Sequence, residues 1–453
     1  PKRRLSVLRK EVRINQILFY ILLACYTGVM LYLFVMQCYE VPVFRSDMPD
    51  YVNTVRGIKG NYEFPYPLFF TLAKGIALFV GAPAGVAVAT AFLNALGLCV
   101  TRHYMRRLVW AQVGGAPVAA VSAAEQKAES IVQAESVGTA KPDVQGMDSS
   151  GLSAGKVFAL ELSATLLSFV LFLIGNLYSP KNTAFFGFDY AYRCMGIYTP
   201  NPFWNATYLA TRPFTIICFF EGAKLLQDYK ENFSWKGCVP FAMSLFLMTI
   251  TKPSYTLVLV PLMGVFFLTD LIKTEGRSFK NAFCVCVTML PTGIDLLYQF
   301  FGVFSGTNVK GEETGIAFGF AKVWSNFSKN IPLSIVMGMA LAIGVAVLNH
   351  KELRENFVYR FAWYNYLMAT VMFLCFYEKG FRMMHANFSW GYMHGMFFVF
   401  FITLVLVLKN TVEWRKSLKV IFLPAEWAVL MYHLVCGINF LVYALQGNDL
   451  AGF

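Results

Sequence analysis

Charge is what this sequence has least of. Lys, Arg, Asp and Glu make up 14% of its residues, where a water-soluble domain carries about 25%. So few charges cannot cover a surface facing water. With 57% hydrophobic residues, the composition excludes a soluble globular domain. Organised cysteine is missing too. The ten cysteines are scattered, several inside apolar runs (Cys284 and Cys286), and no CxxC pair or metal-ligand spacing occurs. They read as small apolar packing residues rather than a disulfide framework or a metal site. No internal repeat of fixed period is present, which disfavours a transporter built from two matching halves. A cleavable leader is not expected, because the first apolar run is too long and no small-residue cleavage site follows it. Acidic residues are outnumbered, leaving a net charge of +12. In a soluble protein that excess would suggest nucleic acid. In a chain this apolar, the positive-inside bias of membrane loops accounts for it, so membrane lipids and not nucleic acid are the expected surroundings.

What the chain does have is apolar runs long enough to cross a bilayer, about 17–25 residues each. They fall near 15–37, 83–104, 156–178, 208–226, 237–252, 254–272, 282–301, 332–349, 358–377, 392–408 and 420–445. The expected fold is an all-α integral membrane protein with about 11 transmembrane helices. Pro240, Pro261, Pro291 and Pro424 blur the ends of several runs. A further apolar stretch, 66–81, is short and contains Lys74, and it reads as an interfacial helix after the first outer loop. The tail before the first span holds Lys2, Arg3, Arg4, Arg9, Lys10 and Arg13. Placing it in the cytoplasm and alternating sides puts about two thirds of the Lys and Arg residues inside. The reading is therefore a multi-pass plasma-membrane protein with its N-terminus cytoplasmic and its C-terminus outside. Residues 1–110 form the tail, first span, acid-bearing outer loop and second span. Residues 111–155, rich in Ala, Ser, Gly, Gln and Val, read as a flexible cytoplasmic linker. Residues 156–453 hold the remaining spans and outer loops.

On this topology the polar segments gather on the outer face, which points to one outward-facing site. Asp47 and Asp50 follow the first span, three residues apart, and share a face if that segment is helical. A carboxylate there suits a general base on an acceptor hydroxyl. It also suits a divalent cation such as Mg or Mn bridging phosphates. Ordinary solvated acids and a helix N-cap are the plainer alternative. Arg212, Lys252 and Arg382 are cations at the outer ends of spans. Such groups neutralise a phosphate leaving group or snorkel to lipid headgroups. Glu378 and Arg382 have the i, i+4 spacing of an ion pair, and His385 beside them suits donation to a phosphate. Trp204, Tyr208, Trp390 and Tyr392 suit stacking on a sugar, with an interfacial aromatic belt as the alternative, and Tyr51 is a further candidate for sugar or acceptor contact. Asn201, Asn205, Asn387 and Glu378 suit hydrogen bonds to sugar hydroxyls, with turn formation as the alternative. The acids inside spans, Glu161, Glu221 and Asp295, carry a different signal, an ion or proton relay. For Glu221, a local pair with Lys224 is the simpler reading.

The stretch Ser46-Asp-Met-Pro-Asp-Tyr51, then Gly60-Asn61 and Pro65-Tyr-Pro-Leu68, resembles the acid-bearing loop and amphipathic helix of the type-C glycosyltransferases. These are multi-span enzymes that use polyprenyl-phosphate-linked sugars. Asn94 and the basic end Arg102, Arg106 and Arg107 resemble their second span, although the Arg usual early in that span is missing. The resemblance covers about residues 15–107. The later segments around Asn201–Arg212 and Glu378–Tyr392 look like those of uncharacterised membrane proteins of Gram-positive gut bacteria, loosely associated with the same superfamily. The resemblance implies transfer of a sugar from a polyprenyl-phosphate donor to a cell-envelope glycan or lipid-linked acceptor on the outer face. Asp47 would be the acid/base, with Asp50 the alternative. Two other readings stay open: a polymerase or ligase of lipid-linked oligosaccharides, and a transporter or flippase of lipid-linked sugars.

Overall fold

The computed structural model describes residues 2–58, 64–114, 154–177, 199–231, 233–304, 313–328, 330–413 and 421–447. The expected linker 111–155 lies outside them, except for Ala111–Gly114, which ends the preceding helix as a π-turn, and for 154–155. The Gly60-Asn61 turn also lies outside.

The chain is built of helices: α1 Lys2–Tyr39, α2 Met48–Val55, α3 Pro67–Val80, α4 Ala82–Val109, α5 Ala154–Leu173, α6 Ala206–Asp228, α7 Trp235–Thr251 and α8 Thr256–Lys273. Then come α9 Phe279–Thr288, α10 Leu290–Phe304, α11 Trp324–Phe327, α12 Ile331–Leu348, α13 His350–Glu355, α14 Phe357–Cys375, α15 Ser389–Val412 and α16 Leu423–Leu445. Their starts follow from capping side chains. Asn205, Ser234, Asn330 and Asn356 each accept a hydrogen bond from a backbone N–H in the first turn of α6, α7, α12 and α14. Inside the helices, Thr90, Ser168, Thr215, Ser244, Thr249 and Thr403 return their hydroxyls to the carbonyl four residues back. A polar side chain thus finds its partner within its own helix, as an apolar solvent demands.

Among the described residues, seven helical stretches are long and apolar enough to cross a membrane: those of α1, α4, α5, α8, α12, α15 and α16. The bent pair α9 and α10 makes an eighth if it counts as one span. Three expected spans fall short by composition or length. Helix α6 carries Arg212, Glu221, Lys224 and Asp228, α7 has 17 residues, and α14 carries Arg360 and Asn365. The single span expected over 282–301 is broken, with α9 and α10 meeting at 53°. Pro291, second residue of α10, lacks the N–H and the room to continue α9. Helix α3, 14 residues long, measures about 21 Å and is shorter than the hydrocarbon core.

The packing is inverted relative to a soluble protein. Helix α15 is enclosed, with 94% of its apolar window buried, whereas α1 buries 28%. Large apolar side chains such as Phe79, Ile272 and Ile294 stand exposed. Leaving such surface in water costs about 25 cal/mol per Å², a penalty that lipid removes. Helices α4 and α6 pack on each other, α4 also on α1 and α5, α6 also on α7, and α14 packs on α15.

The fold also departs from all-α at one place. Strands β1 Ile316–Phe318 and β2 Phe376–Glu378 pair antiparallel, with Ala317 opposite Tyr377. The helix expected over 358–377 ends at Cys375, where the chain enters this ladder.

Candidate functional site

Segments from five places in the chain meet: the loop after α1, Tyr66 before α3, residues 199–205 leading into α6, the turn Lys252–Tyr255, and the stretch from β2 to the start of α15. The 199–205 segment is pinned from three helices. Gln37 Nε2 of α1 donates to the Phe203 carbonyl at 3.1 Å. Asn201 Nδ2 donates to the Leu171 and Ile174 carbonyls at 3.0 and 2.8 Å, which serve the end of α5, where helical carbonyls lack partners. Arg212 of α6 reaches back to the Pro200 carbonyl and to Asn201 Oδ1. The Asp47 N–H then donates to the Trp204 carbonyl at 3.4 Å, which docks the loop after α1 on this segment.

Asn205 is the hub. Its Oδ1 accepts from the Tyr208 N–H as the N-cap of α6 at 2.8 Å, and also from Thr207 Oγ1 at 3.0 Å and Lys252 Nζ at 3.4 Å. Its Nδ2 donates to Asp47 Oδ2 at 2.5 Å and to the Tyr51 hydroxyl at 3.0 Å. One amide therefore holds an acid on one side and a cation on the other. Asp47 itself is the residue before α2, yet its carboxyl makes no capping bond there, which leaves it free for Asn205. Burial pushes the Asp47 carboxyl above the usual carboxylate range, against the Asn205 hydrogen bond and the Lys252 charge that pull it down.

Lys252 lies in the turn beyond α7 and is buried. Its Nζ donates to Thr207 Oγ1 at 3.0 Å and stands 4.7 Å from the centre of the Trp390 ring and 5.6 Å from that of Tyr66. The aromatic faces replace part of its lost hydration. Burial still lowers its pKa to about 8, with Asp47 opposing the shift.

Beyond Lys252, Glu378 closes β2. Its Oε2 accepts from Arg382 Nε at 2.8 Å and from Asn387 Nδ2 at 2.6 Å. Ala386, at φ +49, turns the chain between Gly380–His385 and α15. A residue with a β-carbon adopts that left-handed conformation only where its surroundings impose it. Tyr66 lies within electrostatic reach of Arg382, Glu378 and Asp47, and burial pushes its hydroxyl up to about 12. His385 is exposed and lies within reach of Arg382, Glu378 and Asp50.

The structure thus brings together Asp47, Asp50, Lys252, Glu378, Arg382, His385 and Asn387. Six other expected residues are buried or engaged by the protein itself. Arg212 is buried behind the 199–205 segment and has no place beside Lys252. Asn201 and Asn205 spend both amide hydrogens on protein acceptors, so neither offers a sugar a free donor. Tyr51 is buried under Phe64, Phe69 and Phe70, with its hydroxyl on Asn205 and Thr207. Trp204 and Trp390 are buried against each other, 6.2 Å apart, and form neither a belt nor an open stacking face. No group of three His, Cys, Asp or Glu that could hold a metal ion occurs among the described residues.

Three residues within hydrogen-bond or electrostatic reach of this cluster were missed: Thr207, Tyr66 and His394. Of the acids inside spans, Glu161 pairs with Arg106 at 2.5 Å and Arg102 at 3.6 Å and accepts from Trp110 Nε1. Glu221 accepts from the Tyr104 hydroxyl, and Asp295 from Gln299 Nε2.

Fold and surface together define a helical membrane-embedded protein with a polar cluster built from distant segments. Compared with known proteins, the chain matches no family model, no curated protein and no solved structure.

Proposed function

We propose that this protein is a membrane glycosyltransferase of type-C character, with about eleven spans, a cytoplasmic N-terminus and its site on the outer face of the plasma membrane. The donor is a polyprenyl-phosphate-linked sugar, and the acceptor is a hydroxyl of an envelope glycan or lipid-linked saccharide. The observation that carries the reading is the placement of Asp47 and Lys252 on opposite ends of one amide. The acceptor oxygen attacks the anomeric carbon as its proton passes to the Asp47 carboxylate. The bond from that carbon to the phosphate oxygen breaks, and the phosphate leaves with the electron pair. Lys252 stabilises that charge as a point cation. A carboxylate with a raised pKa is the stronger base for this step. The Glu378–Arg382 pair frames the acceptor side.

The carrier reading requires ionisable groups free to relay through the interior. Glu161 and Asp295 are instead engaged locally, the first between two arginines, which favours the enzyme. The test is Asp47→Asn in the purified protein. Asn205 can still donate to the new amide oxygen, so the fold is kept. Release of polyprenyl phosphate from a labelled donor should stop, and normal turnover in a folded variant would overturn the assignment.

A further inference from the structure

Arg212 lies seven residues into α6 from its cap, about 10 Å along the helix, and is fully enclosed. The rings of Phe172, Phe397 and Tyr208 cover its guanidinium, with centres 4.7, 5.2 and 5.3 Å away. Its Nη2 hydrogens go to Pro200 and Asn201. No carboxylate pairs with it among the described residues; the Tyr208 hydroxyl lies within hydrogen-bonding reach of the guanidinium, and its Nε and Nη1 have no acceptor at full hydrogen-bond geometry there. A buried cation without a counter-charge is costly, and ring faces return only about 0.5–2 kcal/mol. The neighbouring helix shows the same incompleteness. Gly97 of α4 lies against the Arg212 stem, since a β-carbon there would stand 3.2 Å from Arg212 Cβ. One turn earlier on that helix, Asn94 Nδ2 donates to the Tyr26 hydroxyl at 3.1 Å, while its Oδ1 has no partner among the described residues. Across Tyr208, whose ring His394 stacks at 4.2 Å, His394 Nε2 is likewise buried without a partner among the described residues.

We propose that this group of unpartnered buried polar atoms between α1, α4, α6 and α15 is an oxyanion site, centred on Arg212 with Asn94 and Tyr26 beside it, that takes a phosphate group. It goes beyond glycosyl transfer and does not depend on it. Free N–H groups of the guanidinium donate to the anion. An anion that carries one proton can in turn donate to Asn94 Oδ1. The phosphate arrives either as a free ion or as the headgroup of a lipid.

The experiment is thermal unfolding of the purified protein in phosphatidylcholine nanodiscs. Inorganic phosphate is titrated in one arm and dioctanoyl phosphatidic acid in the other, at matched ionic strength. One probe should raise Tm by a few degrees with saturation, and the arm that does so names the source. Asn94→Asp places a carboxylate beside Arg212 and acts as a built-in counter-ion. It should raise Tm without any probe and abolish the probe-dependent rise. Arg212→Met should abolish the rise as well, and if that variant does not fold, Asn94→Asp decides alone. Lys252→Met should keep the rise. Absence of a saturable shift with both probes overturns the site. So does a shift retained in Asn94→Asp but lost in Lys252→Met, which would return the anion to the outer cluster. Turnover of Asp47→Asn is read separately, so the two proposals fail independently.

Discussion

Replacing Asn205 by Ala tests the construction of the site most directly. Of the five hydrogen bonds the Asn205 amide makes, two set the minimum loss. The N-cap bond to the Tyr208 N–H disappears, at about 1 kcal/mol. The hydrogen bond to the Asp47 carboxyl also disappears, and bonds to charged groups are worth about 1.5–3 kcal/mol. The expected destabilisation is therefore about 2.5–4 kcal/mol. Asn205→Ser separates the two terms, because a serine retains the cap but cannot reach Asp47, and it should lose only about 1.5–3 kcal/mol. The assay is equilibrium unfolding in SDS–detergent mixed micelles, followed by tryptophan fluorescence. Both variants should also lose turnover, because Asp47 and Lys252 no longer share a spacer. A loss below about 1 kcal/mol in Asn205→Ala would refute the reasoning, since it would mean that the carboxyl does not depend on this amide.

Three further outcomes are expected. Burial raises the Asp47 pKa in the folded state, so its ionisation costs stability once pH rises above the unfolded value near 3.9. Asp47→Asn should match the native protein below about pH 4 and exceed it in Tm at neutral pH, and equal pH profiles of Tm would contradict this. Lys252 titrates at about 8, so turnover should fall as pH rises through that value. Lys252→Arg, if folded, keeps its charge and should move the alkaline limb upward, and an unmoved limb would detach Lys252 from the reaction. Gly437 of α16 packs on the end of α5, where a β-carbon would overlap the Leu173 carbonyl oxygen and the Gly175 backbone. Gly437→Ala should therefore cost about 3 kcal/mol, measurable by the same unfolding assay.

Much of the helical layout was legible because each apolar run must satisfy its backbone within itself, so its limits are written locally. The end of α14 was not. Cys375 closes that helix because Phe376–Glu378 pairs with a strand some sixty residues earlier, and nothing in the run 358–377 records a partner so distant. The bend between α9 and α10 had its cause in view at Pro291, but hydropathy alone cannot separate one bent span from two short helices. For the site, several of the polar segments did converge in space. The roles within the cluster were hidden because an asparagine reads the same whether its amide faces a ligand or the chain. Asn201 and Asn205 are both turned inward by demands invisible in sequence, the unpaired carbonyls ending α5 and the capping of α6. His394 carried a faint signal, one ionisable residue in the run 392–408, outweighed there by more polar neighbours such as His385.

The bond from Asn205 to Asp47 joins residues 158 apart, the bond from Lys252 spans 45 residues to Thr207, and Trp390 supplies the ring beneath that lysine. The cluster consequently has no partial version that is complete in itself during synthesis. When the loop after α1 emerges, its acid has no donor until Asn205 follows. When α7 is inserted, its lysine has the Tyr66 ring at a distance but lacks the closer Trp390 ring until α15 follows much later. The acid therefore waits for α6 and the cation for α15, which makes the docking of α15 the step that completes the cluster.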